Sequence, residues 1–255
     1  MNTLAIRVEN EPPLTIMTLN RPDKRNALNP QMVTELTETL IAAETDKKCR
    51  ALLLRGEGAA FCAGMDLDVL AHLALQPYEI NLEDSRRLGE MFRRVWAHPK
   101  PTIAVVAGPA IAGGCGLATM CDITLATPES VFGFTEVRIG LVPAIVGVFL
   151  PRIIGEKRAR DLLLTGRLIS ASEACELGLV TELVPADRIE LRAREIAAQF
   201  AANSPQALAV TKRLRGAIPA GELEQACAAN AAARYTDDCR EGLRAFLEKR
   251  KPNWP

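Results

Sequence analysis

Two short glycine-bearing runs hold the most promising residue pattern for chemistry in this chain. They are Phe61-Cys62-Ala63-Gly64-Met65-Asp66 and Ile111-Ala112-Gly113-Gly114-Cys115-Gly116. Each follows an apolar run that reads as a buried strand, and each leads into a segment that reads as a helix. Small residues let backbone approach a ligand closely, and the first N–H groups of a helix have no partner within it. Two such N–H groups converging on one oxygen form an oxyanion hole, which the local helix dipole strengthens. Spacing alone equally allows these glycines to serve tight turns only.

Other chemistries find little support. The chain has two histidines, His72 and His98. Neither stands in HExxH, HxxxH or GxSxG surroundings, so zinc hydrolysis and a Ser–His–Asp triad lack their residues, and both read as surface side chains. The run from Gly108 has two glycines at P-loop spacing, but Gly114 stands where the lysine belongs. No GxGxxG is followed by an acid about 20 residues on, which argues against a Rossmann dinucleotide site. Cys62 and Cys115 have no neighbouring base and read as small packed thiols. No metal and no cofactor is expected.

The chain has 255 residues, enough for one large domain or a core with an appendage. Lys+Arg and Asp+Glu both count 31, so the global field of a nucleic-acid binder is missing. Seven cysteines without a CxxC pair fit a reducing, cytoplasmic compartment. The start of the chain shows no signal-peptide pattern. The uncharged stretch 101–121 is broken by Pro109 and four glycines. It reads as strand, glycine loop and helix start rather than a membrane span.

The elements that must hold the two runs alternate. Residues 4–8 and 14–19 read as strands joined at Pro12-Pro13. Asn29-Pro30 reads as the cap and first residue of a helix to about Thr45, with Met32, Leu36, Leu40 and Ile41 on one face. Residues 51–56, 102–108 and 122–127 read as buried strands, and 67–97 as helix broken near Pro77. This pattern predicts an α/β fold. Beyond about residue 156 the chain turns mostly helical, with one short strand at 180–184. The alanine-rich helices of 188–235 have apolar faces that need a partner, their own core or another subunit.

Several motifs in order resemble those of the crotonase superfamily, the enoyl-CoA hydratase/isomerase group. They are Asn20-Arg21-Pro22 with Asn26-Ala27-Leu28, the FCAGMDL loop, AGGCGLATMCDI, FGFTEVRIGLVP at 132–143 and REGLRAFLEKRKP at 240–252. The resemblance implies a spiral core of ββα units over 1–195 and a helical oligomerisation region over 196–255. It further implies a homotrimer or a dimer of trimers, and an acyl-CoA thioester ligand whose coenzyme A is part of the substrate. By position, the backbone N–H groups of Met65 and Gly113 would be the oxyanion donors. Lys24, Arg25 and Ala27 would meet the nucleotide of CoA, with Ala63, Asp66 and Leu67 along the pantetheine path and Gly114 and Gly116 in the substrate loop.

Glu136 matches the second of the family's two acid–base glutamates, while the first falls on Gly116. The apolar neighbours Val131, Phe132, Phe134, Val137 and Ile139 would raise the Glu136 pKa toward neutrality. The resemblance therefore implies thioester enolate chemistry by one carboxylate. Hydration of a 2-enoyl-CoA is the leading reading, on the similarity around Glu136. Counting carboxylates favours the alternative, Δ3,Δ2-enoyl-CoA isomerisation. An acyl-CoA-binding or scaffold paralogue is the reading from another class. Lys249 reads as a tail charge, Asp66 as a loop or cap residue and Asp122 as a strand-start backbone partner.

Overall fold

The computed structural model describes residues 4–254. In chain order its elements are β1 (Ile6–Glu11), β2 (Leu14–Leu19), α1 (Pro30–Thr45), β3 (Ala51–Gly56), α2 (Leu67–Leu73), α3 (Tyr78–Ala97), β4 (Thr102–Val106), β5 (Ala110–Ile111) and α4 (Gly113–Thr119). There follow β6 (Ile123–Ala126), β7 (Val131–Gly133), α5 (Ala144–Ile154), α6 (Glu156–Thr165), β8 (Leu168–Ser170), α7 (Ala171–Leu177) and β9 (Glu182–Leu183). Helices α8 (Ile189–Ala202), α9 (Pro205–Arg215), α10 (Ala220–Ala233) and α11 (Asp237–Leu247) close the chain.

Six strands form one sheet in the order β1-β2-β3-β4-β6-β9, and β5-β7-β8 form a second. Only β1 runs antiparallel to its neighbour in the larger sheet. Alternation decides which residues of β3 go to which face. Ala51 and Leu53 face a layer with Ile189, Ala193 and Ile196 of α8. Leu52 and Leu54 face the main core with Leu36 and Leu40 of α1 and Phe92 of α3. Both faces are covered, which is why the strand reads as an unbroken apolar run.

The second sheet explains the spiral. Leu28 bridges Met65, Cys62 bridges Ala110, and β5 pairs with β7, all in parallel. Each turn thus lays one strand in the large sheet, one short segment in this second stack, then a helix. The predicted α/β class is observed, and the segments of the second stack are too short to show in the sequence.

Local signals hold at α1, where the Asn29 side chain accepts from the Met32 N–H at 2.9 Å and Pro30 occupies the first turn. The buried face is Met32, Val33, Leu36, Leu40 and Ala43. Ile41 departs from expectation and is exposed, because its position rotates away from that stripe. His98 also departs: it is buried, with ring nitrogens beside the Leu40 and Lys100 carbonyls. His72 is exposed as expected. Asp122 accepts from the Thr102 N–H at the start of β4. The 195/196 boundary expected between core and appendage falls inside α8. Helix α10 packs on α3 and α5, and α11 packs on the turn carrying Glu136. Among the described residues no helix is long and apolar enough to cross a membrane.

Candidate functional site

The two glycine loops touch. Gly64 has φ +88°, and a Cβ placed there would lie 2.9 Å from the Ala112 Cβ and 3.6 Å from the Gly113 nitrogen. Only a residue without a side chain permits both the left-handed backbone and that approach. Ala112 itself has φ 51° and ψ −125°, sparsely populated backbone for a residue with a Cβ. That strained peptide sets the direction of the Gly113 N–H at the start of α4. Among the described residues, the Met65 and Gly113 N–H groups donate to no protein acceptor. Both residues line one cavity of about 640 Å³.

Glu136 lines the same cavity. It opens a single 3-10 turn, Glu136–Ile139, directly after the buried Phe132 and Phe134. The residue keeps some accessible surface because it faces the cavity, yet its Oε2 is buried and has no hydrogen-bond partner among the described residues. Burial disfavours the carboxylate and pushes its pKa up to about 7, against the weaker opposing pull of its own backbone N–H.

Three carboxylates line the cavity among the described residues: Asp66, Asp68 and Glu136. Asp66 caps α2 and pairs with Arg21 at 2.8 Å. Asp68 pairs with Lys24 at 3.0 Å. Glu136 alone has no cation.

The other expected residues divide. Lys24, Arg25, Ala27, Ala63, Asp66 and Leu67 all line the cavity, and the Arg25 guanidinium makes no ion pair among the described residues. Gly114 and Gly116 stand behind the wall. A Cβ at Gly114 would lie 2.3 Å from the Cys62 carbonyl oxygen, so that glycine lets α4 pack on the first loop. A Cβ at Gly116 would lie 2.5 Å from Val146 Cγ1. Val146 of α5 thus fills the space into which a side chain at 116 would project. Cys62 and Cys115 are fully buried, and burial pushes the Cys62 thiol up to about 12 and Cys115 upward as well.

Sequence reasoning missed what holds the loops. Arg21 donates to the Ala27 carbonyl at 2.6 Å and pairs with Asp66, tying the Asn20–Leu28 segment to the first glycine loop. Asn26, with φ 55°, is wholly buried and donates to the Glu57 and Ala60 carbonyls. Both stand in the Asn20–Leu28 motif, but nothing in the motif tells a positioning residue from a contact. Arg234 was missed altogether; it is buried on the cavity wall.

The family model described as enoyl-CoA hydratase/isomerase matches residues 9–255. The chain is 45% identical to a Thermus thermophilus protein assigned as an enoyl-CoA hydratase, over 94% of this chain and 97% of that one. It is 36% identical to the 2,3-dehydroadipyl-CoA hydratase of Escherichia coli, covering 94% of each. Among solved structures, an enoyl-CoA hydratase/isomerase from Xanthobacter autotrophicus Py2 superposes with a TM-score of 0.88 at 34% identity, covering 98% of both chains.

Proposed function

The chain belongs to the enoyl-CoA hydratase/isomerase family, and on that premise we propose that it adds water reversibly to a 2-enoyl-CoA with Glu136 as its single acid–base group. One observation carries this reading: among the described residues, Glu136 is the one cavity-wall carboxylate without a cation, and it shares that cavity with two N–H groups that donate to no protein acceptor.

The thioester oxygen accepts from the Met65 and Gly113 N–H groups. The Glu136 carboxylate takes a proton from water as the water oxygen bonds to C3. The electrons of the C2–C3 double bond move onto the thioester oxygen as an enolate, which the two donors stabilise. Glu136 then returns its proton to C2. A carboxyl near pKa 7 can take and give that proton at neutral pH. Losing one oxyanion donor typically costs about 3–4 kcal/mol of barrier. Lys24 and Arg25 would receive the CoA phosphates at the mouth of the cavity.

Val146 supports a second reading. By filling the space beside Gly116 it leaves Glu136 to work without a second carboxylate. Moving a double bond from C3 to C2 needs one base, which takes a proton from C2 and returns it at C4. Absorbance of the conjugated enoyl thioester tests both readings. Loss of signal with a 2-enoyl-CoA supports hydration, and gain with a 3-enoyl-CoA supports isomerisation. Acyl-CoA binding with no change in either assay supports the scaffold reading.

The homotrimer or dimer of trimers belongs to this proposal, as does the helical assembly region at 196–255. Exposed Val210 and Leu214 on α9 support both, and sedimentation tests assembly. A cytoplasmic setting is likewise proposed, supported by seven free cysteines.

A further inference from the structure

Beyond the reaction centre the cavity reaches a buried polar cluster. Arg234, at the end of α10, is 1% exposed and lines the cavity. Its Nη1 donates to Asn81 Oδ1 at 3.0 Å. Its Nη2 pairs with Asp84 at 2.8 Å and donates to Asn230 Oδ1. Asn230 Oδ1 also accepts from Ser85 Oγ at 3.0 Å. The Nε–H of Arg234 is buried and has no partner among the described residues. A buried donor left unpaired is costly, and a site that leaves one in place has room in its energetics for a ligand acceptor.

The placement along α3 gives the distance from the chemistry. Ser85, Leu88 and Phe92 are spaced i, i+3 and i+7 and share one helix face. Phe92 abuts Gly113: a Cβ on that glycine would lie 3.7 Å from Phe92 Cζ. Seven residues of helix put Ser85 about 10 Å further along. Leu88 and Phe92 of α3 and Ile145 and Val146 of α5 give the same cavity apolar lining.

We propose that the Arg234–Asn230 cluster is a specificity subsite, selecting acyl-CoAs whose acyl chain carries a neutral oxygen acceptor about 10 Å beyond the thioester. The class is a keto, hydroxy or ether chain rather than a terminal carboxylate. The Asp84 carboxylate already balances the guanidinium charge, so a second carboxylate would bring an uncompensated buried charge. A neutral oxygen satisfies the Nε–H without that cost. This inference rests on the acyl-CoA reading of the cavity and names the substrate class within it.

The test uses 2-enoyl-CoAs of equal chain length carrying a distal methylene, a distal neutral oxygen or a distal carboxylate. Wild-type kcat/KM should favour the neutral-oxygen chain over the methylene chain by at least about tenfold, the worth of one hydrogen bond to a charged donor. The R234K variant, which keeps a cation for Asp84 but has no Nε–H, should bring that ratio close to one. A wild-type ratio near one overturns the subsite, as does a preference for the carboxylate or an unchanged ratio in R234K. The wild-type comparison stands alone if R234K does not fold. Should no substrate turn over, calorimetric binding of the saturated acyl-CoA pair reads the subsite separately. A tenfold binding preference for the oxygenated chain then supports the subsite while the hydration reading fails, and equal binding overturns it.

Discussion

Glu136 is an acid held where its charged form is unwelcome and where no cation among the described residues relieves it. E136Q keeps the shape and removes the proton carrier, so kcat should fall by about 10³-fold while acyl-CoA binding is largely retained. Near-normal turnover would remove Glu136 from the mechanism. The base form starts the reaction, so kcat/KM should rise with pH through about 7. A profile flat from pH 6 to 8 contradicts the assignment. Stability gives a separate readout. Between pH 4.5, the ordinary value, and about 7 the folded carboxyl holds a proton that the unfolded one has released. Wild-type stability therefore declines across that window and levels off above it. E136Q should be more stable than wild type above pH 7, by about 3 kcal/mol. That difference should vanish below pH 4.5, as melts at both pH values would show.

At the scale of elements, the oxyanion geometry belongs to the contact between two loops and the start of α4. G64A places a side chain on left-handed backbone, with its Cβ 2.9 Å from that of Ala112. It should separate the two N–H groups and lower kcat by about 10²-fold. A variant of unchanged kcat would show that the loops need not touch. Helices α4 and α5 pack through Gly116 and Val146. G116E alone should destabilise the fold by about 1–3 kcal/mol, because Val146 fills the space. Adding V146A should recover much of that loss, and enoyl-thioester absorbance then shows whether a second carboxylate speeds hydration. If V146A recovers nothing, the clash lies elsewhere.

Across the whole molecule, segments distant in sequence close one cavity. Arg21 and Asp66 are 45 residues apart and join the Asn20–Leu28 segment to the first glycine loop. Helix α10 brings Asn230 and Arg234 over α3 and α5, and α11 brings Phe246 and Leu247 to the wall. The Arg21–Asp66 pair is mostly buried, with side chains 20% and 7% exposed. R21M should leave Asp66 uncompensated, costing about 3 kcal/mol and raising KM for acyl-CoA as the Lys24–Ala27 loop loosens. R21M with D66N should regain most of the stability but not the KM. Equal melts for wild type and R21M would show that the tie carries no load.

By itself the sequence determined the α/β alternation, the capped start of α1, the break at Pro77, the two glycine loops and the apolar setting of Glu136. These are short-range features, governed by period, capping chemistry and the composition of a few neighbouring residues. Only the tertiary structure decided that the β5 stack exists, that His98 is buried while Ile41 is not, and that Val146 fills the space at Gly116. It alone showed Arg234 buried at the far end of the cavity. Each of these depends on partners tens of residues away, and no local pattern records which distant side chain will fill a space or leave a donor unpaired.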